Sequence, residues 1–315
     1  MKGVVAGQNS LFKVSAIVPA LNEAEGIGPT LDELIMVGIP RENIVVVDGG
    51  SIDGTPDIAR AKGVVVVRQS GKGKADAVRE GLKIVKTPYV LVIDADHSYP
   101  AKYVPQMLDL AEDNKFDEVI GVRPRSAQPS IYRLGNKLLT WFFNSLFGAR
   151  LRDVLSGMYL VRVEALRGAM FEMSGFSLES ELAAHVVSVG GTIGEVDIEY
   201  RPRLGRKKLR PWQGLKIAFD MLRLSWRYNP TMVMFFLGAL LMVPGLVVGG
   251  ITAYQFYFRH VDHFVNAIMA IIVTATGFNS LLLGIQSLYM KRFEMRMRAY
   301  LREIEREIRS SNDEA

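Results

Sequence analysis

Two carboxylates two residues apart, Asp94 and Asp96, follow directly on the apolar run Tyr89–Ile93. Such a pair at a strand end can grip a hard divalent cation, Mg2+ or Mn2+, which neutralises a diphosphate and steadies it as a leaving group. Ser98 or His97 can approach the same ion, with water filling the rest of an octahedral shell. An Asp-x-Asp pair also occurs in ordinary acidic turns, so its meaning depends on what converges on it. Asp48 stands in a glycine-rich stretch, Val47–Thr55, where Gly49 and Gly50 allow a ligand close to the backbone. Its carboxylate can accept from a base N–H or from ribose, while Asp53 or Thr55 caps the helix that follows.

The cations fall into two groups. Gly71-Lys72-Gly73-Lys74 offers flexible backbone and two ammonium groups ahead of a helix. That suits a phosphate, although the longer glycine-rich P-loop pattern is absent and a solvated loop fits equally well. The densest run spans Arg201–Arg210, including Arg203 and Lys208. Solvated surface is the usual fate of such a run, but Arg also pairs bidentately with the oxygens of an anionic headgroup. Glu179 and Glu181 open a helix after a loop; either can favour the helix N-terminus, and one can reach a sugar or a metal.

The elements that must position these residues alternate in type. Val14–Val18, Asn43–Val47, Val64–Val67 and Tyr89–Ile93 read as short buried strands; Asn22–Met36, a helix beginning near Gly54, and Ala75–Ile84 read as helices between them. Short apolar strands followed by helices argue for a mainly parallel sheet covered on both faces. Asn22, Glu23, Asp48, Asp94 and Asp96 all fall just beyond strand ends, where open α/β sheets bind ligands. A nucleotide-binding half is expected to about Asp96 and an acceptor-binding half to about Pro202.

The character of the chain changes after Pro230. Thr231–Phe258 and Phe264–Met290 carry no Asp, Glu, Lys or Arg, and each exceeds the roughly 20 residues a helix needs to cross a bilayer. Arg223 and Arg227 precede the first span, while Lys291, Arg292, Arg296 and Arg298 follow the second. The positive-inside rule therefore predicts a multi-pass membrane protein with both termini and the catalytic domain in the cytoplasm. No signal-like apolar core lies between Lys2 and Lys13, which agrees with a catalytic part that stays where it is made. Pro211–Asn229 reads as an amphipathic helix in the headgroup plane, with a packing helix of the soluble domain as the alternative. The net charge of +5 is concentrated beside the spans and suits lipid phosphates. Basic and aromatic residues do not interleave as in nucleic-acid binders, and the absence of cysteine excludes disulfides, thiolate metal sites and cysteine nucleophiles. Four segments are expected: 1–205 catalytic, 206–229 basic loop and interface helix, 230–290 transmembrane hairpin, 291–315 charged tail.

As a set these segments resemble the family-2 glycosyltransferases that charge polyprenyl phosphates. “VSAIVPALNE”, “VDGGSIDGT” and “DAD” are similar to that family's first strand, glycine turn and metal motif. “VIGVR”, “DVLSGMY” and the basic loop ending in Lys208-Leu209 resemble the dolichyl-phosphate mannose and glucose synthases. “RQSGKGKADAVREG” and “GFSLESELA” look most like the archaeal branch that charges dolichyl phosphate with N-acetylglucosamine or another hexose. The resemblance implies an α/β, GT-A (Rossmann-like) domain with a mainly parallel sheet, followed by amphipathic interface helices and two transmembrane helices. It implies that Pro19, Ala20, Asn22, Glu23, Asp48, Gly49 and Ala95 line the nucleotide, that Asp94 and Asp96 hold Mg2+ or Mn2+ with Ser98 nearby, and that Lys72 assists. Arg123, Arg133 and Arg203, with Lys208, would hold the lipid phosphate; Glu179 or Glu181 would recognise the sugar or orient the basic residues. Two departures, Gly49 where many relatives have a second aspartate and Ser98 where mannose synthases carry Gln, weaken the GDP-mannose reading and the metal assignment; the resemblance to the archaeal branch, UDP-sugar-using where known, implies UDP-N-acetylglucosamine or UDP-glucose.

The expected reaction is inverting transfer from a nucleotide sugar to dolichyl or polyprenyl phosphate. The acceptor oxygen is anionic near neutral pH, since a phosphate's second pKa is about 6, so positioning and charge stabilisation suffice. Relatives associate through their membrane segments, which implies a homo-oligomer. A GDP-mannose-using synthase and a non-enzymatic membrane scaffold are the alternatives. A processive synthase would need a Gln-x-x-Arg-Trp segment and more spans, and a dinucleotide enzyme would need Gly-x-Gly-x-x-Gly after the first strand; the chain has neither.

Overall fold

The computed structural model describes residues 11–124, 126, 130–166, 178–205, 213–228 and 230–313. They form two compact units, divided between Leu224 and Ser225.

The first unit is built on a seven-stranded sheet in the order β3-β2-β1-β4-β6-β5-β7. Its strands are β1 (Val14–Ala20), β2 (Ile44–Asp48), β3 (Val65–Arg68), β4 (Tyr89–Ile93), β5 (Glu118–Val122), β6 (Met158–Arg162) and β7 (Ile193–Asp197). β1 pairs in parallel with both β2 and β4, β2 with β3, and β5 with β7. β6 runs antiparallel between β4 and β5. β2, β4 and β5 are buried along their whole length, which is why they read as unbroken apolar runs rather than alternating ones. Helices α1 (Ala24–Val37), α2 (Thr55–Ala61), α3 (Lys74–Leu82) and α4 (Val104–Asp113) make the crossovers. α1 contributes Ile27, Leu31 and Leu34 to the core, and ends at Gly38, whose φ of +110° closes the helix in a left-handed cap. This is the GT-A-like α/β architecture that the resemblance implies, and the crevice of the strand order lies between β1 and β4, where the outward crossovers reverse direction.

Three further helices complete this part of the chain. α5 (Ser130–Phe147) and α6 (Leu178–Ser188) flank β6, and α7 (Gln213–Tyr228) runs across the division between the units. α7 has two apolar rows. Ile217, Met221 and Leu224 are buried, whereas Leu215, Phe219, Leu222 and Trp226 are exposed. The packing and interfacial readings of this helix therefore describe different faces of it. α5 is built the same way: Leu139, Phe143, Leu146 and Phe147 are buried, while Leu134, Leu138 and Trp141 form an exposed apolar stripe at i, i+4 and i+7.

The second unit contains α8 (Pro230–Arg259) and α9 (Phe264–Asp313), whose apolar parts, Pro230–Arg259 and Phe264–Met290, are long and apolar enough to cross a membrane. Only 17% of each most apolar window is buried, so neither is the core helix of a water-soluble fold. Thr231, Gly238, Gly245 and Thr252 recur every seventh residue of α8 and are buried. A Cβ on Gly245 would lie 2.8 Å from the backbone nitrogen of Thr274, and one on Gly277 would lie 2.5 Å from that of Met242. Small residues thus bring the two backbones together. Thr231 Oγ1 donates to Ser287 Oγ (2.9 Å) and Ser280 Oγ to the Met234 carbonyl (2.9 Å). α9 continues beyond Met290 without a break, so the charged segment is an extension of the second apolar helix.

One buried acid in the sheet makes a pH prediction. Glu118 is 1% exposed, its Oε2 has no partner among the described residues, and burial pushes its pKa up to about 8. Between the ordinary glutamate value and about 8 the folded chain keeps this proton and the unfolded chain loses it, so the group costs stability as pH rises through that window. Glu118→Gln removes the penalty. The melting temperature of the variant relative to wild type should rise between pH 5 and pH 8; a constant difference would mean that Glu118 is not held protonated.

Candidate active site

The carboxyl ends of β1, β2 and β4 converge on one crevice. Asn22 (φ +50°) turns the chain out of β1; its Oδ1 accepts from the Ile52 N–H (2.9 Å), and its own N–H donates to Ser51 Oγ (2.8 Å). The Asp48 carboxylate accepts from the Gly50 and Ser51 N–H groups at 3.1–3.2 Å. The Gly49 N–H reaches back to the Ala20 carbonyl (2.8 Å). Asp53 accepts from the Ala24 N–H (3.0 Å) and from both the N–H and the hydroxyl of Thr55. The two turns after β1 and β2 are therefore one hydrogen-bonded body. It presents Pro19 and Ala20 at a strand end, with Asn22, Glu23, Asp48 and Gly49 beside them, as a preformed wall.

Asp94 and Asp96 leave β4 into this crevice, and each already meets a cation. Lys74 Nζ donates to Asp94 Oδ1 (2.6 Å) and to Glu179 Oε1 (2.6 Å). Burial would lower the Lys74 pKa, but Asp94 and Glu179 outweigh it and hold the ammonium well above its ordinary value. Burial raises the pKa of Glu179, with Lys74 opposing. The other oxygen of Asp94 lies over Gly157, where an added Cβ would come within 2.0 Å of Oδ2; only glycine leaves room for the carboxylate. Asp96 Oδ1 accepts from the N–H of Ser98 (3.1 Å) and from its hydroxyl, and Oδ2 lies 3.6 Å from Arg203 Nη1. Burial and Asp94 together raise the Asp96 pKa, opposed by Ser98 and Arg203.

Several residues sit differently from the sequence expectation. Ser98 is fully buried and spends its hydroxyl on Asp96, so it positions that carboxylate instead of offering a free ligand oxygen. Lys72 is exposed in the turn; Gly73, at φ +87°, starts α3 one residue later and delivers Lys74 to the acids. Arg203, expected at the lipid phosphate, donates to Glu23 (2.8 Å) on the nucleotide side. The chain after β7 brings it there: the Arg201 N–H bonds to the Ser98 carbonyl (3.0 Å), and the Leu204 N–H to that of Asp96 (3.0 Å). Arg201 Nη1 also donates to Glu33 (2.5 Å) and meets His97 Nε2 (3.1 Å), so His97, at φ +61°, fastens the same loop. Glu181 is fully buried in α6 while Glu179 faces Lys74. Lys208 lies outside the described residues.

A second, basic cleft of about 270 Å³ opens at the end of β5, lined by Arg123, Arg133, Asn136, Lys137, Arg152 and Asp153 among others. Arg123 is clamped by Asp153 through Nε and Nη2 (both 2.7 Å) and lies 5.7 Å from the centre of the Tyr200 ring. Tyr200 packs edge-on against Tyr99 (5.3 Å), whose hydroxyl accepts from the Gly157 N–H (2.7 Å). Burial raises the Tyr99 pKa, so the phenol stays neutral. Arg123, Tyr200, Tyr99 and Gly157 thus connect the basic cleft to the floor under Asp94. Asp153 and Tyr99 were not singled out from sequence, although Asp153 stands inside a quoted motif, and Lys74 was considered with Lys72 only for a phosphate; Tyr99 carried no signal beyond its place behind Asp96.

The two carboxylates fit a Mg2+ or Mn2+ ion that shares its shell with substrate phosphates and water. Among the described residues no third acidic, histidine or cysteine ligand joins them.

Comparison with known proteins agrees with this geometry. Residues 15–170 match the model of glycosyl transferase family 2. Glycosyltransferase AglJ of Haloferax volcanii is 31% identical over 282 residues, covering 87% of this chain and 92% of that one. A dolichyl-phosphate hexose transferase of the same organism is 34% identical over 205 residues, covering 64% and 88%. Among solved structures, glucosyl-3-phosphoglycerate synthase of Mycobacterium tuberculosis, with Mn2+, UDP-glucose and phosphoglyceric acid bound, shares the fold at a TM-score of 0.59. It is 22% identical and covers 72% of this chain and 84% of that one. With a relative matched over nearly its full length, the acids at the strand ends acquire a context: the chain belongs to glycosyl transferase family 2 and is an enzyme of that family.

Proposed function

We propose that the chain transfers a sugar, N-acetylglucosamine or glucose, from a UDP-sugar to dolichyl or polyprenyl phosphate with inversion. The observation that carries this reading is the pairing of an acidic crevice with a separate basic cleft whose helix, α5, exposes an apolar stripe. A diphosphate-sugar with its metal suits the first, and a phosphate attached to a long hydrocarbon suits the second. The names of the relatives support it: one Haloferax protein is called a dolichyl-phosphate hexose transferase, and the solved neighbour holds UDP-glucose with Mn2+. The apolar lengths of α8 and α9 support a membrane-anchored enzyme, and the flanking arginines and lysines support a cytoplasmic side for its catalytic domain and both termini.

In this reading Asp94 and Asp96 would hold Mg2+ or Mn2+, and the ion would supply positive charge to the diphosphate leaving group. The wall formed by Asn22, Asp48 and Gly49 receives the nucleoside, and Arg203 adds charge beside Glu23. Arg123, oriented by Asp153, keeps its Nη1 protons for an acceptor phosphate; Arg133 and Asn136 come from α5 on the other side of the cleft. The acceptor oxygen attacks as an anion, so no side chain has to remove a proton. A second reading has its own support. Phosphoglyceric acid is the acceptor bound in the solved neighbour, and a basic cleft accepts a soluble phosphate too.

The deciding assay incubates full-length protein in detergent with Mg2+ or Mn2+, labelled UDP- and GDP-sugars, and either dolichyl phosphate or phosphoglycerate. Label from one UDP-sugar should enter the lipid fraction and vanish with EDTA or Asp96→Ala. Label only in phosphoglycerate would establish the soluble acceptor, label from GDP-mannose would reverse the donor assignment, and no product with any donor would overturn both acceptor readings.

Gly157→Ala should cut turnover by about a hundredfold or more by displacing Asp94, a loss in proportion to a misplaced reacting group, with the thermal transition retained. Near-wild-type turnover would mean that Asp94 is free to move. Arg133→Ala should raise KM for the lipid phosphate while leaving KM for the nucleotide sugar unchanged; an equal rise in both would place Arg133 outside acceptor binding.

A further inference from the structure

Lys74 has no part in the mechanism above, yet it is the most enclosed cation in the crevice. Its side chain is 15% exposed and its ammonium touches Asp94 Oδ1 and Glu179 Oε1 at the same distance, 2.6 Å. The other oxygen of that carboxylate, Oδ2, lies against Gly157. A divalent cation that takes Oδ1 therefore meets the ammonium already there. An ammonium and a divalent cation cannot share one lone pair at contact distance, because like charges that close repel strongly in a partly buried site. Glu179 offers the ammonium somewhere to go: it can give up Asp94 and keep one carboxylate partner.

We propose that Lys74 is a resident placeholder for the metal on Asp94, displaced towards Glu179 when a divalent cation arrives with the donor diphosphate. This rests on the glycosyltransferase reading of the site and adds its regulation. In the resting enzyme Asp94 already has a cationic partner without metal, so part of its repulsion of Asp96 is offset and free cation binds weakly. Binding tightens only when diphosphate oxygens complete the shell. Glu179 is then a positioning residue that acts through Lys74, and its position in α6 couples that helix to the metal state of β4.

The two partners of Lys74 predict opposite effects, which a merely structural role would not produce. Mn2+ binding is measured on purified full-length protein in detergent by electron paramagnetic resonance, with no nucleotide or lipid present. Lys74→Met should tighten Mn2+ binding by about tenfold or more, the scale of removing a contacting like charge. Glu179→Gln should weaken it, because the ammonium then has only Asp94. Each variant is compared by its thermal transition, and loss of fold in one leaves the other as the test. Unchanged or weaker binding by Lys74→Met, including no binding at millimolar Mn2+, overturns the proposal, as does tighter binding by Glu179→Gln. Because neither donor nor acceptor is present, failure of the sugar-transfer assay does not decide this result, nor this result that assay.

Discussion

Acids gathered at the ends of parallel strands repel one another, and the crevice of this protein can close only if that repulsion is met from elsewhere in the chain. Asp94, Asp96, Glu23 and Glu179 are partly or fully buried around one small space. Water cannot screen them there as it would at the surface. The chain answers with two cations from remote positions, Lys74 at the start of α3 and Arg203 from the loop after β7. Removing one partner of such a buried pair typically costs about 3–5 kcal/mol, since the charge left behind is uncompensated. The order of the sheet and the path of the final loop can be read as consequences: both deliver a cation to acids that the nucleotide side requires.

The same neutralisation explains how much structure surrounds so few reacting atoms. Arg203 reaches the nucleotide side only because Arg201 and Leu204 are hydrogen-bonded to the backbone around Asp96, and Arg201 in turn is held by Glu33. Asp94 lies flat only because residue 157 is glycine, and Gly157 is fixed by the Tyr99 hydroxyl. Tyr99 packs on Tyr200, which underlies Arg123. The basic cleft and the floor under Asp94 are thus joined by a short chain of packed rings.

The parts of this arrangement that were legible in the sequence share one property: they are local. β4 is fully buried, so Tyr89–Ile93 is an unbroken apolar run and its ends can be read directly. The placement of Asp48 at the end of one strand and of Asp94 and Asp96 just beyond another follows from chain order alone. β6 was not legible as an antiparallel insertion, because a buried strand looks the same in either direction. Lys72 and Lys74 are equivalent in composition, and only the left-handed turn at Gly73 decides which one faces inward. Arg203 looked like its neighbours in a basic run, and its partner Glu23 lies at the far end of the domain's sequence. α5 and α7 each carry two apolar rows, and helical periodicity shows that a helix is unusually apolar without saying which row is covered.

The chemistry accounts for the scarcity of groups that move protons. His97 is committed to Arg201, Tyr99 is kept neutral, and Glu179 is paired with Lys74, so the residues nearest the acids hold charge in place. An enzyme acting on a sugar hydroxyl would need a base to generate its nucleophile. A phosphate acceptor brings its own negative charge, and the demand on the protein changes: it must bring an anion up to a crevice already rich in carboxylates. Separate housing of the two charges meets that demand. Arg123 is held along one edge by Asp153, which directs its guanidinium, and the aromatic pair Tyr99–Tyr200 packs beside it. In the proposed reaction an acceptor phosphate would be bound on the arginine side while its nucleophilic oxygen is presented to the sugar on the other, each charge facing its own counter-charge until the bond changes.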